Sequence, residues 1–368
     1  MKRYLLLMLM AVMTIHVFAA DRDFPFIDSA PFDTIVDGRQ IGLYTIKKGG
    51  VAAQITNYGG FIVTLFAPDR EGKYANLVTS YPSIKQYLRY NLGQVGPAVG
   101  RYANRISNAQ FTLDGQTYQL TRNNGRHTLH GGSQGFDHAV WDVVEHAADR
   151  LVLKCVLPDG TDGFPGTLTT LLTYSITDDN ALAVSYSATT DKTTVASMTT
   201  HSYFNLNGVG SGDILGHELT INADNITESD RELIPTGKLT PVEGTPYDFR
   251  KPVKIGDRQV AMQGFGFGRR PEVPEGKVMQ YDTNFCLNHT AGEKVEKVAE
   301  VYAPESGRVM EVWNNHPGLQ LYTGARTSIA LESQMYPDSP NRPEFPSVRL
   351  EPKDVYSHIC LYKFSVRK

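Results

Sequence analysis

Phe111-Thr112-Leu113-Asp114-Gly115-Gln116-Thr117-Tyr118-Gln119-Leu120 is the stretch whose reading decides the fold. Asp-Gly can adopt the positive φ angles that a tight primed turn requires, so the segments flanking it read as the two antiparallel strands of a hairpin. Ile176 to Leu182, with Thr177-Asp178-Asp179-Asn180 in the middle, reads as a second hairpin. Strand-like segments recur outward from these two, at Gln54 to Tyr58, Phe61 to Phe66, Leu151 to Leu157, Leu168 to Ile176 and Ala181 to Ala188, separated by Gly, Pro, Asp and Asn. That spacing predicts a large antiparallel β-sandwich. Helical periodicity is weak, with room for a turn or two over Ser83 to Tyr90, and no parallel βαβ alternation is present. The fold class expected is all-β.

Composition agrees. Among 368 residues, 19 Tyr and 16 Phe stand beside 33 Gly and 20 Pro, a balance that favours pleated strands and turns over long helices. No internal repeat, low-complexity tract or shift of composition marks a linker, which predicts one domain over 21–368. Gln263-Gly264-Phe265-Gly266-Phe267-Gly268-Arg269-Arg270-Pro271 lacks the strand-to-helix context of a nucleotide loop and reads as a mobile surface loop. Cys155, Cys286 and Cys360 are odd in number, scattered and flanked by apolar residues, so buried thiols are expected rather than a disulfide framework or a zinc site.

Met1-Lys2-Arg3, an uncharged run from Tyr4 to Ala20, and the small residues Ala19-Ala20 read as a secretory signal over 1–19, cut after Ala19. An uncleaved membrane anchor is the alternative, because the run is near the lower limit of about 17 residues needed to span a bilayer. No Cys directly follows the small residues, so a lipoprotein anchor is not expected, and the leader points to the periplasm. Its removal takes two positive charges from a chain whose formal net charge is already −3, and no basic patch for nucleic acid is visible.

Thr199-Thr200-His201-Ser202-Tyr203-Phe204-Asn205-Leu206-Asn207-Gly208 places an imidazole among polar and aromatic residues where an apolar strand pattern ends, and Leu331-Glu332-Ser333-Gln334 supplies a carboxylate in a similar setting. These are one candidate proton donor and one candidate acceptor. Gly100-Arg101-Tyr102-Ala103-Asn104-Arg105-Ile106 carries two guanidinium groups suited to an oxygen-rich ligand, or two structural arginines at a turn. In His127-Thr128-Leu129-His130-Gly131-Gly132 the spacing does not suit helical zinc ligation; His130 reads either as a ligand contact or as local structure, and His127 as structural. Asp282 lies between aromatics, and Gln320, in a strand, points away from the face of Leu319 and Leu321. Each could equally be a satisfied buried polar residue. Together, Asn104, Arg105, His130, His201, Asp282, Gln320 and Glu332, with Trp141 and several tyrosines for stacking, form the donor and acceptor set a sugar needs. No metal or cofactor is required to explain them.

Taken in order, these motifs resemble the aldose 1-epimerase (galactose mutarotase) family over nearly the whole chain. The resemblance is carried by Asn57-Tyr58-Gly59-Gly60, Gly100-Arg101 with Ala103-Asn104-Arg105-Ile106, Leu129-His130-Gly131-Gly132 with Gly135-Phe136-Asp137 and Trp141, and Asp162-Gly163-Phe164-Pro165-Gly166. It continues through His201-Ser202-Tyr203-Phe204-Asn205-Leu206, Asp282 with Asn284-Phe285, Pro317-Gly318-Leu319-Gln320-Leu321-Tyr322-Thr323-Gly324, and Glu332-Ser333-Gln334 with Pro337-Asp338. The resemblance implies a galactose-mutarotase-type β-sandwich with an open sugar cleft. It implies His201 as general acid, Glu332 as general base, and Asn104, Arg105, His130, Tyr203, Asp282 and Gln320 as hexose contacts. The expected reaction is anomer interconversion of free aldohexoses such as glucose and galactose, by a monomer or weak dimer, with the two catalytic groups on opposite sides of the acetal centre. A glycoside hydrolase and a noncatalytic sugar-binding protein are the rival readings. Two departures from the family pattern, Thr283 where a histidine is frequent and the short loop Ala325 to Leu331, bear on which sugar is preferred.

Overall fold

The computed structural model describes residues 24–90, 95–261, 280–289, 292 and 294–368. The expected leader over 1–19 and the glycine-rich loop at 263–271 lie outside the described residues. The first hairpin forms as expected from Gln110–Leu113 and Gln116–Gln119, with Asp114 and Gly115 at positive φ (51° and 78°). The second joins Leu168–Ile176 to Ala181–Thr190.

That second hairpin lies within a nine-stranded antiparallel sheet. Its spatial order is Asp142–Ala147, Arg150–Leu157, Leu168–Ile176, Ala181–Thr190, Tyr356–Val366, Arg308–Asn314, Glu296–Tyr302, Glu218–Ile221 and Val253–Lys254. Period-two burial shows why: Leu168, Thr170, Leu172, Tyr174 and Ile176 are buried, while the residues between them are not. A six-stranded sheet runs Tyr203–Phe204, Ile329–Gln334, Gly318–Tyr322, Asp282–Leu287, Ala223–Ser229 and Pro235–Pro241, and a four-stranded one joins Leu43–Lys48, Val51–Thr56, Ile62–Pro68 and Tyr74–Asn76. One apolar cluster draws on all three, through Leu172 and Tyr186, Leu319 and Leu331, and Leu65. Truncating one of its fully buried leucines to alanine costs about 2–5 kcal/mol.

Helix is scarce among the described residues. Ile84–Tyr90 is helical where a turn or two was expected, and its Tyr87 packs on Phe61 with ring centroids 4.5 Å apart. A second helix, Ile255–Ala261, spans seven residues, too few for apolar spacing to register in the sequence. Cys155, Cys286 and Cys360 are free and buried, as expected, and burial pushes each thiol up to about 12. No helix among the described residues is long and apolar enough to cross a membrane.

Candidate active site

Within the six-stranded sheet, Ile329–Gln334, Gly318–Tyr322 and Asp282–Leu287 are buried on both faces along nearly all their length, and their alternation divides those faces chemically. Asn284, Gln320 and Glu332 stand opposite one another on three adjacent strands, and the next row holds Asp282, Tyr322, Ala330 and Tyr203. Successive side chains point to opposite faces, so the polar members share one face while Leu319, Leu321, Leu331 and Phe285 enter the apolar cluster on the other. Gln320 therefore points as its sequence setting predicts. Thr283 falls on the face away from Asp282, which removes it from the polar surface and from direct contact with a sugar there.

Loops from elsewhere in the chain cover this face. Leu129 pairs with Arg105, and the two turns that follow interlock: the His130 N–H donates to the Asn104 carbonyl (3.0 Å), and the Asn104 N–H donates to His130 Nδ1 (3.2 Å). Both residues take positive φ, 62° for Asn104 and 53° for His130. Gly131 completes the turn at φ +88°, where a Cβ would come within 2.3 Å of the Gly100 carbonyl oxygen. Thr199–Thr200 pairs with Ala98–Val99, and the His201 N–H donates to the Pro97 carbonyl.

These segments bring His201 Nε2 to 3.4 Å from Glu332 Oε1, with the two residues only 5% and 2% exposed. The His201 ring stacks on Tyr203 at 4.9 Å and meets the His130 ring edge-on at 5.3 Å. Gln320 Nε2 donates to Asp282 Oδ1 (2.6 Å), whose Oδ2 lies 3.7 Å from Arg105 Nη2. His201 Nδ1, Glu332 Oε2 and Gln320 Oε1 have no protein hydrogen-bond partner. All eight expected site residues thus come together. One expectation is corrected: imidazole and carboxyl lie side by side, too close to admit a pyranose between them, so they face one side of a ligand.

Burial governs the protonation of this cluster. It pushes the His201 imidazole down to about 4 and the Glu332 carboxyl well above its usual range; the charge of Asp282 adds to the latter and Arg105 opposes it. His130 is held well below the ordinary imidazole range by burial, then by His201 and Arg105. Desolvation disfavours both charged forms, the His201 imidazolium and the Glu332 carboxylate. His130, His201 and Glu332 also offer ligand atoms within 4.8 Å of one another, the spacing of a metal centre. The Asn104 N–H argues against one, because it requires a lone pair on His130 Nδ1, which leaves the proton on Nε2 and no lone pair there for a cation.

The model of the family described as aldose 1-epimerase matches residues 42–363. The chain is 36% identical to galactose mutarotase of Sus scrofa over 339 residues, 88% of this chain and 94% of that one. It is 32% identical to aldose 1-epimerase of Escherichia coli K12 over 346 residues, 89% and 96% of the two chains. Among solved structures, an aldose epimerase homologue from C. elegans superposes with TM-score 0.79 at 27% identity (89% of this chain, 100% of that one), and galactose 1-epimerase from Lactobacillus acidophilus NCFM with 0.76 at 25% (91% and 97%). The chain belongs to the aldose 1-epimerase family. Neither rival reading, hydrolase or noncatalytic binder, gains support from these comparisons.

Within this epimerase fold the remaining sequence candidates separate. Arg101 is structural: it is 1% exposed and donates to the Pro165 and Gly166 carbonyls and to Thr194 Oγ1. His127 is structural too, its Nδ1 accepting the Asn108 N–H. Trp141, expected as a stacking surface, is instead buried against Phe136 and donates to its carbonyl, because the indole fills the space between the sheets. Three residues were missed. Tyr322 presents its ring 6.1 Å from those of His201 and Tyr203, and Asn284 and Gln334 continue the polar face. The signal was available as polar residues two apart, Asp282 with Asn284 and Glu332 with Gln334.

Proposed function

We propose that this chain interconverts the α and β anomers of free aldohexoses, glucose and galactose among them, by acid and base opening and closure of the pyranose ring. The observation that carries the reading is the 3.4 Å approach of His201 Nε2 to Glu332 Oε1. A hemiacetal carbon bears two oxygens, the C1 hydroxyl and the ring oxygen, and two proton-exchanging groups side by side suit two oxygens on one carbon.

The protons balance. Glu332 takes the proton of the C1 hydroxyl, the C1–O1 bond becomes a carbonyl, the C1–ring oxygen bond breaks, and that oxygen takes a proton from His201. Rotation about C1–C2 presents the other carbonyl face. On closure the hydroxyl returns its proton to His201 as it attacks C1, and Glu332 protonates O1. Between them the two groups hold one proton throughout, on His201 before opening and on Glu332 in the open-chain state, so the cycle neither gains nor loses protons; burial favours the second, uncharged arrangement, and the first has to form as sugar binds. Asn104, Arg105, His130, Tyr203, Asp282 and Gln320 are the proposed sugar contacts. His130 offers an Nε2–H donor and Gln320 a free carbonyl oxygen. Polarimetry tests the activity: fresh α-glucose or α-galactose should reach its equilibrium rotation faster with the protein, and an unchanged decay would overturn the reading.

Export is proposed on Met1-Lys2-Arg3, the apolar run and Ala19-Ala20. A periplasmic form beginning at Ala20 is the expected product, and recovery of the intact chain from the membrane fraction would favour the anchor instead. A monomer or weak dimer is proposed for solution, checked by sedimentation.

A further inference from the structure

Beside Glu332 the polar face continues into residues that the proposed reaction does not use. Asn284 stands opposite Gln320, which stands opposite Glu332, and Gln334 lies two residues beyond Glu332 on the same face. Asn284 is 2% and Gln334 0% exposed. Oδ1 and Nδ2 of Asn284 and Oε1 and Nε2 of Gln334 all lack a protein hydrogen-bond partner, as does Oε2 of Glu332. Gly318 stands opposite Gln334 in the register, and a Cβ there would come within 2.6 Å of Asn284 Oδ1. The bare backbone of Gly318 is what lets the Asn284 amide lie across this strand. Buried polar atoms are almost always bonded to protein or to ordered water, and an amide carries both donors and acceptors. Two such amides and a carboxyl oxygen in the same condition, on one face of three adjacent strands, offer the polar partners that a buried water requires.

We propose that Asn284 and Gln334 are positioning residues for Glu332: their amides hold ordered water that donates to Oε2 and so aims Oε1 at the sugar. The inference deepens the reading of Glu332 as the base and rests on it. Burial, with the charge of Asp282 adding to it, drives the Glu332 carboxyl upward, and donors on Oε2 favour the carboxylate the reaction needs. The other groups that act on it are His201 and Tyr203 from one segment, His130 from its turn, Asp282 and Tyr322 from neighbouring strands, Arg105 from its loop and Tyr362 from the large sheet.

Gln334→Met and Asn284→Leu remove the amides at similar volume. Each should lower kcat about ten- to a hundredfold, the range for losing hydrogen bonds to a charged group, with KM little changed. The alkaline limb of kcat/KM, where the pair gives up its shared proton, should move to higher pH. Unchanged kcat and an unchanged pH profile in a folded variant would overturn the proposal. A high-resolution crystal structure of the unsubstituted protein decides independently of whether the variants fold. Water bonded to both amides and to Glu332 Oε2 is expected, and the absence of water at these atoms or amides paired to each other would overturn it. Glu332→Gln separates the two readings: full activity there removes the base itself, whereas loss of activity there with unaffected amide variants removes only the water-held positioning.

Discussion

The backbone N–H of Asn104 points at Nδ1 of His130 from 3.2 Å, and in return the His130 N–H donates to the Asn104 carbonyl. Two residues expected separately as sugar contacts are thus one interlocked unit, in which a main-chain donor selects the imidazole tautomer. Nitrogen NMR should find His130 neutral and protonated at Nε2 across the neutral range. His130→Ala should cost about ten- to a hundredfold in kcat/KM, the loss of one or two directional hydrogen bonds. A proton on Nδ1 would contradict the geometry.

Arg101 and Arg105 should fail in opposite ways. Arg101→Met leaves the Pro165 and Gly166 carbonyls unpaired in the interior, and each costs about 1–3 kcal/mol. A lower melting temperature with near-normal KM in the folded fraction is expected. Arg105→Met leaves Asp282 still bonded to Gln320, so it should raise KM with little change in melting temperature. The reverse pattern would contradict the assignment.

How far the sequence could be read is visible in this pair. Both arginines sit in one seven-residue stretch with the same local chemistry. Only distant partners, the Pro165 and Gly166 carbonyls and Thr194 Oγ1, make one of them structural, and local sequence holds no trace of them. Trp141 went astray for the same reason, since an indole suits a core or a sugar face equally until the sheets close on it. The hairpins were legible because Asp114-Gly115 and the turn ending at Asn180 need positive φ, a local demand that residue type announces. Gln320 was legible because period two is local as well. The side-by-side arrangement of His201 and Glu332 was not, for it depends on Tyr203 pairing with Ala330.

Acid should destabilise the fold. His316 is pushed down to about 3 and His217 to about 4 by burial, and His358, stacked on His316 at 3.9 Å, lies well below its usual range. Below the unfolded imidazole value of about 6.5 the unfolded chain binds protons that the folded chain refuses, so stability falls as pH falls, by about 1.4 kcal/mol per pH unit for each such group. Glu332, raised by burial, works in the opposite sense, lending stability at low pH that is lost as pH rises, but the buried imidazoles outnumber it. Urea unfolding at about pH 7 and about pH 5 should show the drop, and His316→Phe should make it smaller. Equal stability at both values would contradict this account of the core histidines.

Glu332→Gln and His201→Asn, followed by polarimetry of fresh α-galactose, test the central claim most directly. Acid and base groups each contribute about a hundred- to ten-thousandfold, so each variant should remain folded and bind sugar while interconverting anomers at least a hundredfold more slowly. Near-normal turnover by either folded variant would contradict the shared-proton mechanism built on the pair.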